Sequence, residues 1–200
     1  MFPEITRDDI FRLETPRLWL RWPRAADGEA IAQHCSDPDV ALNTVNIPHP
    51  YGLADAERFV FEARAGNTMG EQLVLALTLK QKPSDVIGVI GAHGAPGRGA
   101  TKLGFWLAKP YWGQGLMGEA ASAFVDLLFS VTSVQTIESV ALATNAATLR
   151  VHEKLGFASR GAGELHAPAR GGVVSVERMR LSRGAAHTCF GARRAKLTST

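Results

Sequence analysis

Lys102–Ala120, KLGFWLAKPYWGQGLMGEA, holds a strand, a glycine turn and the start of a helix in nineteen consecutive residues. Leu103, Phe105 and Leu107 point one way, and Gly104, Trp106 and Ala108 the other, which is the two-residue period of a strand. From Gly115 to Val131 the apolar residues recur at Met117, Ala120, Ala121, Phe124, Leu127, Leu128 and Val131. That spacing predicts a helix of about four turns. Between the two, Gly113 and Gly115 let the backbone approach a ligand with no side chain in the way. The amides of this turn stand at the positive end of the helix and suit a pyrophosphate that carries no metal. A P-loop is excluded because GxxxxGK[ST] is missing, and a dinucleotide fingerprint because no GxGxxG is paired with a ribose-binding acid. A tight structural turn would use the same two glycines.

Working outward, Arg17–Trp22 (RLWLRW) predicts the first strand. Asp27 is placed to cap a helix that ends near Cys35, and Ala54–Gly66 reads as a second helix. Leu73–Lys80 and Val86–His93 predict two strands joined by QKPSD as a hairpin connection. Gly94–Ala100 (GAPGRGA) reads as a turn into the third strand of this meander. After the long helix, Thr136–Ala143 predicts a strand, and Ala146–Leu155 a helix ended by Gly156. Two more strands begin at Phe157 and Val173. The expected fold class is α/β (α+β): one domain with a mixed, mostly antiparallel sheet of about seven strands and helices on both faces.

A second motif lies thirty residues beyond the turn. Thr144–Phe157, TNAATLRVHEKLGF, follows a strand end with Asn145 and sets Thr148 and His152 four apart on one helical face. By themselves these residues read equally as a helix cap and a buried or exposed histidine.

Together the two motifs resemble the GNAT acetyltransferase superfamily. There an R/Q-x-x-G-x-G/A turn binds coenzyme A, and a later asparagine helix ending in EK-x-GF binds pantetheine. GFW followed by WGQG, then N-x-x-T-x-x-V-x-EKLGF, resembles the ribosomal-protein N-terminal acetyltransferase (RimJ/RimL-like) branch, as do the opening TPRLWLR and IPHPYGLADAERFV. The resemblance covers roughly residues 12–182. It implies a sheet splayed between its fourth and fifth strands and acetyl-CoA as cosubstrate, with no metal. It puts Trp112 at the R/Q position, and the amides of Gly113, Gln114, Gly115, Leu116, Met117 and Gly118 on the pyrophosphate. It places the backbone of Trp106 and Leu107 against pantetheine, Asn145 on pantetheine and Thr148 near the thiol. His152 stands where many relatives have a tyrosine that protonates the thiolate, which makes it the candidate acid. The RimJ/RimL-like branch often has leucine there, and the rival reading is a histidine that only packs or faces solvent. Lys102 stands where the branch often has a glutamate proposed as base, which leaves the base unassigned.

The chemistry tolerates that departure. An α-amine of pKa about 7.8 is roughly 14% neutral at pH 7, whereas a lysine amine of pKa about 10.4 is roughly 0.04% neutral. An α-amine thus needs little help, which favours a protein N-terminus or a small amino-acid-like amine as acceptor, attacking the thioester directly. The other class to weigh is a non-catalytic coenzyme A-binding module.

Composition narrows the field. Two hundred residues, 46% hydrophobic and 20% charged, suit one domain with a full core. No apolar run reaches the ~18 residues of a membrane helix. The start, MFPEITRDD, is acidic and lacks a signal-peptide stretch, so a cytoplasmic location is expected. Cys35 and Cys189 share no metal or redox spacing. Net charge is +3, but Arg183, Arg193, Arg194 and Lys196 all follow Leu181 with no acid among them, which leaves residues 1–182 at −1. Residues 1–182 are therefore taken as the domain and 183–200 as a basic, frayed tail. Such a tail is poor ground for nucleic-acid binding, which needs a basic face on the fold. No membrane partner is expected, and a homodimer is compatible with the resemblance. The acceptor side should be lined by the loops near Asn43–Leu53 and Gly161–Gly172, in which His49 and His166, like His93, read as ordinary loop or strand histidines.

Overall fold

The computed structural model describes residues 2–94, 101–190 and 196–198. Among them nine strands form one sheet: β1 (Arg12–Glu14), β2 (Leu18–Arg21), β3 (Gln72–Leu79), β4 (Lys82–His93), β5 (Thr101–Leu107), β6 (Thr136–Leu142), β7 (Ala158–Ala167), β8 (Gly172–Ser182) and β9 (Lys196–Thr198). Their order is β7-β8-β6-β5-β4-β3-β2-β1-β9. Every neighbouring pair is antiparallel except β5 with β6. The helices are α1 (Gly28–Cys35), α2 (Pro38–Leu42), α3 (Leu53–Met69), α4 (Leu116–Val131), α5 (Ala146–Lys154) and α6 (Arg183–Phe190).

β3 shows why the sheet carries helices on both faces. Its residues are buried on alternate sides, as a strand's two-residue period dictates. Leu73, Leu75 and Leu77 join the main core with Met117, Ala120, Phe124 and Leu128 of α4. Ala76 joins Ile31 and Cys35 of α1 with Ala56 and Val60 of α3, while Val74 packs with Ala63. A run with no polar face is what a strand between two helical layers requires.

The seven expected strands are all present, and two more extend one edge of the sheet beyond β2. β1 is three residues long and too short to carry a period, and β9 pairs with it. The hairpin after β3 turns at Lys80–Gln81, and QKPSD is mostly strand: Leu79 pairs with Lys82, with register irregularities at Leu77–Leu79 that absorb the proline. Asp27 precedes α1, but its side chain does not cap it. Both carboxylate oxygens instead grip the Arg21 guanidinium at 2.8 Å, and one also accepts from the Arg24 amide at 2.7 Å. Gly161 lies within β7, so the turn on that side is only Pro168–Gly171.

The chain after Leu181 was expected to fray. Residues 183–190 form α6, Ala186 enters the main core, and the Arg183 guanidinium donates to the carbonyls of Phe129, Thr132 and Val134. Those carbonyls follow or end α4, which has no N–H donors left for them within the helix. The rest of the expected tail and the turn at 95–100 lie outside the described residues, β9 excepted.

The Arg21–Asp27 pair is nearly dry, with side chains 7% and 3% exposed. Asp27→Ala leaves a guanidinium buried without its partner and is expected to lower unfolding free energy by about 3–5 kcal/mol. Urea unfolding monitored by tryptophan fluorescence checks this.

Candidate active site

The site begins where β5 and β6 part. They pair only at Thr101–Ile137, Lys102–Glu138 and Leu103–Ser139. Beyond Leu103, β5 keeps β4 on one side, through Gly104–Gly91, Phe105–Ile90, Trp106–Val89 and Leu107–Gly88, and has no strand on the other. This is the splay that the resemblance implied. Phe105, Leu107, Tyr111 and Leu149, from β5 and the segments that follow it, are only partly buried and pack on the core that holds Leu116 and Met117.

A hydrogen-bond chain holds the fork. Ser139 Oγ donates to the Leu103 carbonyl at 2.9 Å, and His152 Nε2 lies 2.9 Å from the same Oγ. The hydroxyl has one hydrogen, already given to Leu103, so the imidazole must be the donor and carries its proton on Nε2. His152 is completely buried against the rings of Phe105 and Phe157, and its Nδ1 has no partner. Burial lowers its pKa to about 4. At neutral pH His152 is therefore a neutral donor to Ser139, with no imidazolium to offer a departing thiolate.

The glycine turn has the geometry that the sequence suggested. Gly113 and Gly115 both have φ of +73°, a left-handed conformation that side chains disfavour, and Gly115 is the N-cap of α4. The N–H groups of Gly113, Gln114, Gly115, Leu116, Met117 and Gly118 have no acceptor within the described residues. Unpaired N–H groups at and just before a helix start suit an anion. Trp112 enters differently. The residue is 40% exposed, and its Nε1 donates to the Leu107 carbonyl at 2.6 Å. Because the Ala108 amide points at Ile87 of β4, the Leu107 carbonyl across the same planar peptide points into the splay. The indole thus ties the turn to the open end of β5.

Asn145 caps α5, its Oδ1 accepting from the Thr148 amide at 3.0 Å. Its Nδ2 donates to the Asn43 carbonyl at 2.9 Å. Arg170, in the β7–β8 turn, donates twice to the Leu42 carbonyl, at 2.8 and 3.0 Å. Lys109, just before the glycine turn, pairs with Asp39 of α2. The connection 43–52 is thereby moored to the cofactor side. Lys102 is exposed at the closed end of the fork, in register with His93 of β4 and Glu138 of β6. The structure brings Trp106, Leu107, the 112–118 turn, Asn145 and Thr148 to the open end, and leaves Lys102 at the other.

Sequence reading missed Thr15, Arg17 and Glu119. Glu119 Oε1 accepts from Thr15 Oγ1 at 2.6 Å and the Arg17 amide at 2.8 Å, and its Oε2 accepts from Arg17 Nε at 2.6 Å. Burial raises the Glu119 pKa, but bonds from Thr15 and Arg17 outweigh it and hold it below the ordinary value. Ser139 was missed as well. In both cases the signal was a polar residue in an otherwise apolar setting, with no local partner to mark it.

The model of the GNAT acetyltransferase domain matches residues 17–158. The chain belongs to the GNAT acetyltransferase family. The L-amino acid N-acetyltransferase AaaT of Escherichia coli (strain K12) is 25% identical over 161 residues, covering 78% of this chain and 93% of that protein. Mycobacterium smegmatis RimJ in complex with CoA-disulfide superposes with a TM-score of 0.74 at 18% identity, over 94% of this chain and 95% of that one. The ribosomal L7/L12 α-N-protein acetyltransferase RimL, in complex with coenzyme A, gives 0.74 at 16%, over 86% and 97%. This GNAT protein is accordingly an acetyl-CoA-dependent acyltransferase with acetyl-CoA as cosubstrate. Among its described residues no helix is long and apolar enough to cross a membrane.

The depressed pKa of His152 has a sign. Unfolded, the imidazole takes a proton near pH 6.5; folded, only near 4. Its stabilising contribution is complete above pH 6.5 and is lost as pH falls toward 4, by roughly 3 kcal/mol in all. His152→Leu is expected to flatten the stability–pH curve over that interval, as measured by urea unfolding at a series of pH values.

Proposed function

We propose that this enzyme acetylates the α-amine of a small amino-acid-like molecule or of a protein N-terminus, by direct attack on acetyl-CoA. One observation carries the reading: a strand edge left open from Gly104 to Leu107 ends at a turn with six unpaired amides. The pyrophosphate rests against the amides of 113–118, and the pantetheine arm lies along β5 in the gap beyond Leu103. There Phe105 and Leu107 turn their backbone groups away from β4, while those of Trp106 face Val89. Asn145 and Thr148 flank its thiol end.

The amine attacks the thioester carbon, and its nitrogen becomes positively charged as the carbonyl oxygen becomes an oxyanion. Backbone N–H groups of β5 stabilise that oxygen. As the C–S bond breaks, the proton of the attacking nitrogen goes to the departing sulfur, directly or through water. No covalent enzyme intermediate forms. His152 acts in its neutral form, holding the fork against which the thioester is set. Holding amine and thioester together supplies most of the acceleration. The α-amine preference follows from the larger neutral fraction of such amines at pH 7. It agrees with the similarity to an L-amino acid N-acetyltransferase.

Thiol release on a panel of free amino acids, N-terminal peptides and lysine side-chain amines tests the acceptor class. Turnover on α-amines and little on N-α-blocked lysine is expected; turnover confined to side-chain amines, or none on any amine, would overturn the reading. Gly115→Asp strains the +73° φ and sets a carboxylate on the amides meant for phosphate. Acetyl-CoA affinity should fall at least about 100-fold by calorimetry, with the fold retained.

Residues beyond Ser182 supply no group to this scheme. A chain ending at Phe190, which keeps the Arg183 contacts to α4, is expected to retain its turnover in the same thiol-release assay.

A further inference from the structure

We infer that Arg17, held by Glu119, is a positioning residue for the coenzyme: it fixes the orientation of the Gln114–Gly115 peptide so that the Gly115 N–H faces the pyrophosphate. The inference rests on the coenzyme reading of the glycine turn. Arg17 Nη1 donates to the Gln114 carbonyl at 2.9 Å. A peptide unit is planar and trans, so its carbonyl and the next N–H point in opposite directions. Drawing the Gln114 carbonyl toward Arg17 therefore turns the Gly115 N–H away from it, and that N–H has no acceptor among the described residues.

Among the described residues no other hydrogen bond fixes that orientation. A flip of the 114–115 peptide takes φ of Gly115 from +73° toward negative values, and glycine accepts both. The neighbouring Gly113 is equally permissive. Gln114 braces the turn from its own side, its Nε2 donating to the Pro110 carbonyl at 3.0 Å, but that bond leaves the following peptide free. The glycines that admit the ligand thus also make the donor array bistable, and an outside group is needed to select one state.

Arg17 is built for that task. Glu119 takes its Nε at 2.6 Å and its amide at 2.8 Å, and is itself pinned by the Thr15 hydroxyl at 2.6 Å. The fork geometry of guanidinium leaves Nη1 aimed at the turn. The Arg17 side chain is 49% exposed, and an ion pair that open contributes little to fold stability. Its place therefore answers to the turn and not to the core.

The test measures affinity for acetyl-CoA and for S-acetylpantetheine, which lacks the pyrophosphate, in wild type, Arg17→Met, Glu119→Gln and the double variant. Arg17→Met is expected to weaken acetyl-CoA by about tenfold and leave S-acetylpantetheine within twofold. Glu119→Gln should weaken acetyl-CoA in the same sense, and the double variant should be no worse than Arg17→Met alone. The Gly115 amide signal in ¹⁵N NMR should shift in each variant without ligand. Tighter acetyl-CoA binding by Glu119→Gln would mean that Arg17 acts as a free charge on phosphate, and would overturn the positioning role. Equal losses for both ligands would reduce the pair to general structural support, and unchanged acetyl-CoA affinity would end the proposal. If wild type itself shows no preference for acetyl-CoA over S-acetylpantetheine, the coenzyme reading of the turn fails, independently of Arg17.

Discussion

Leu103 and Ser139 are the last residues at which β5 and β6 run as neighbours, and the site depends on their stopping there. Separating two paired strands exposes backbone groups that a sheet would otherwise satisfy, and the first to lose its support is at the fork itself. Here the serine hydroxyl answers the Leu103 carbonyl, and the neutral His152 answers the serine. A charged imidazole would fail in that position, since burial among Phe105 and Phe157 makes the cation costly. The histidine is thus placed where it supports the fork, as a neutral donor to Ser139.

From that fork the remaining parts follow in order. An unpaired edge of β5 leads to Leu107, whose outward carbonyl is taken by Trp112. Trp112 opens the glycine turn, and the turn ends as the N-cap of α4. The apolar face of α4, packed on β3 through Phe124 and Leu128, keeps the helix start in place relative to the strand. On the proposed reading, backbone groups do most of the binding, and side chains such as Trp112, Asn145 and Glu119 mainly aim them.

What was legible in the sequence was local. The strand–turn–helix at Lys102–Val131 could be drawn to within a residue because period-two alternation, two glycines and a 3.6-residue period lie in one continuous stretch. The Asn145 cap was equally open to view, since its partner, Thr148, is three residues away. Long-range partners left no such trace. Arg17 and Glu119 are 102 residues apart, and Ser139 looks like any polar residue in a strand until His152 is folded over it. Asp27 sat at a capping position by sequence, yet Arg21 competes for the same carboxylate and wins with two bonds. Arg183 was read as the start of a loose tail because its acceptors, the carbonyls after α4, lie some fifty residues earlier in the chain.

Asn145 has one amide and two clients. Its Oδ1 shapes the start of α5 beside the pantetheine path, while its Nδ2 holds the Asn43 carbonyl at the edge of the connection 43–52. A rebuilt 43–52 segment, grafted to accept a new amine, would pull on the same side chain that frames the coenzyme. On the proposed reading, acceptor preference and coenzyme affinity are therefore coupled through Asn145. Selection for a new acceptor through that segment would drag cofactor binding with it, unless Asn43 kept its backbone where Asn145 can reach it.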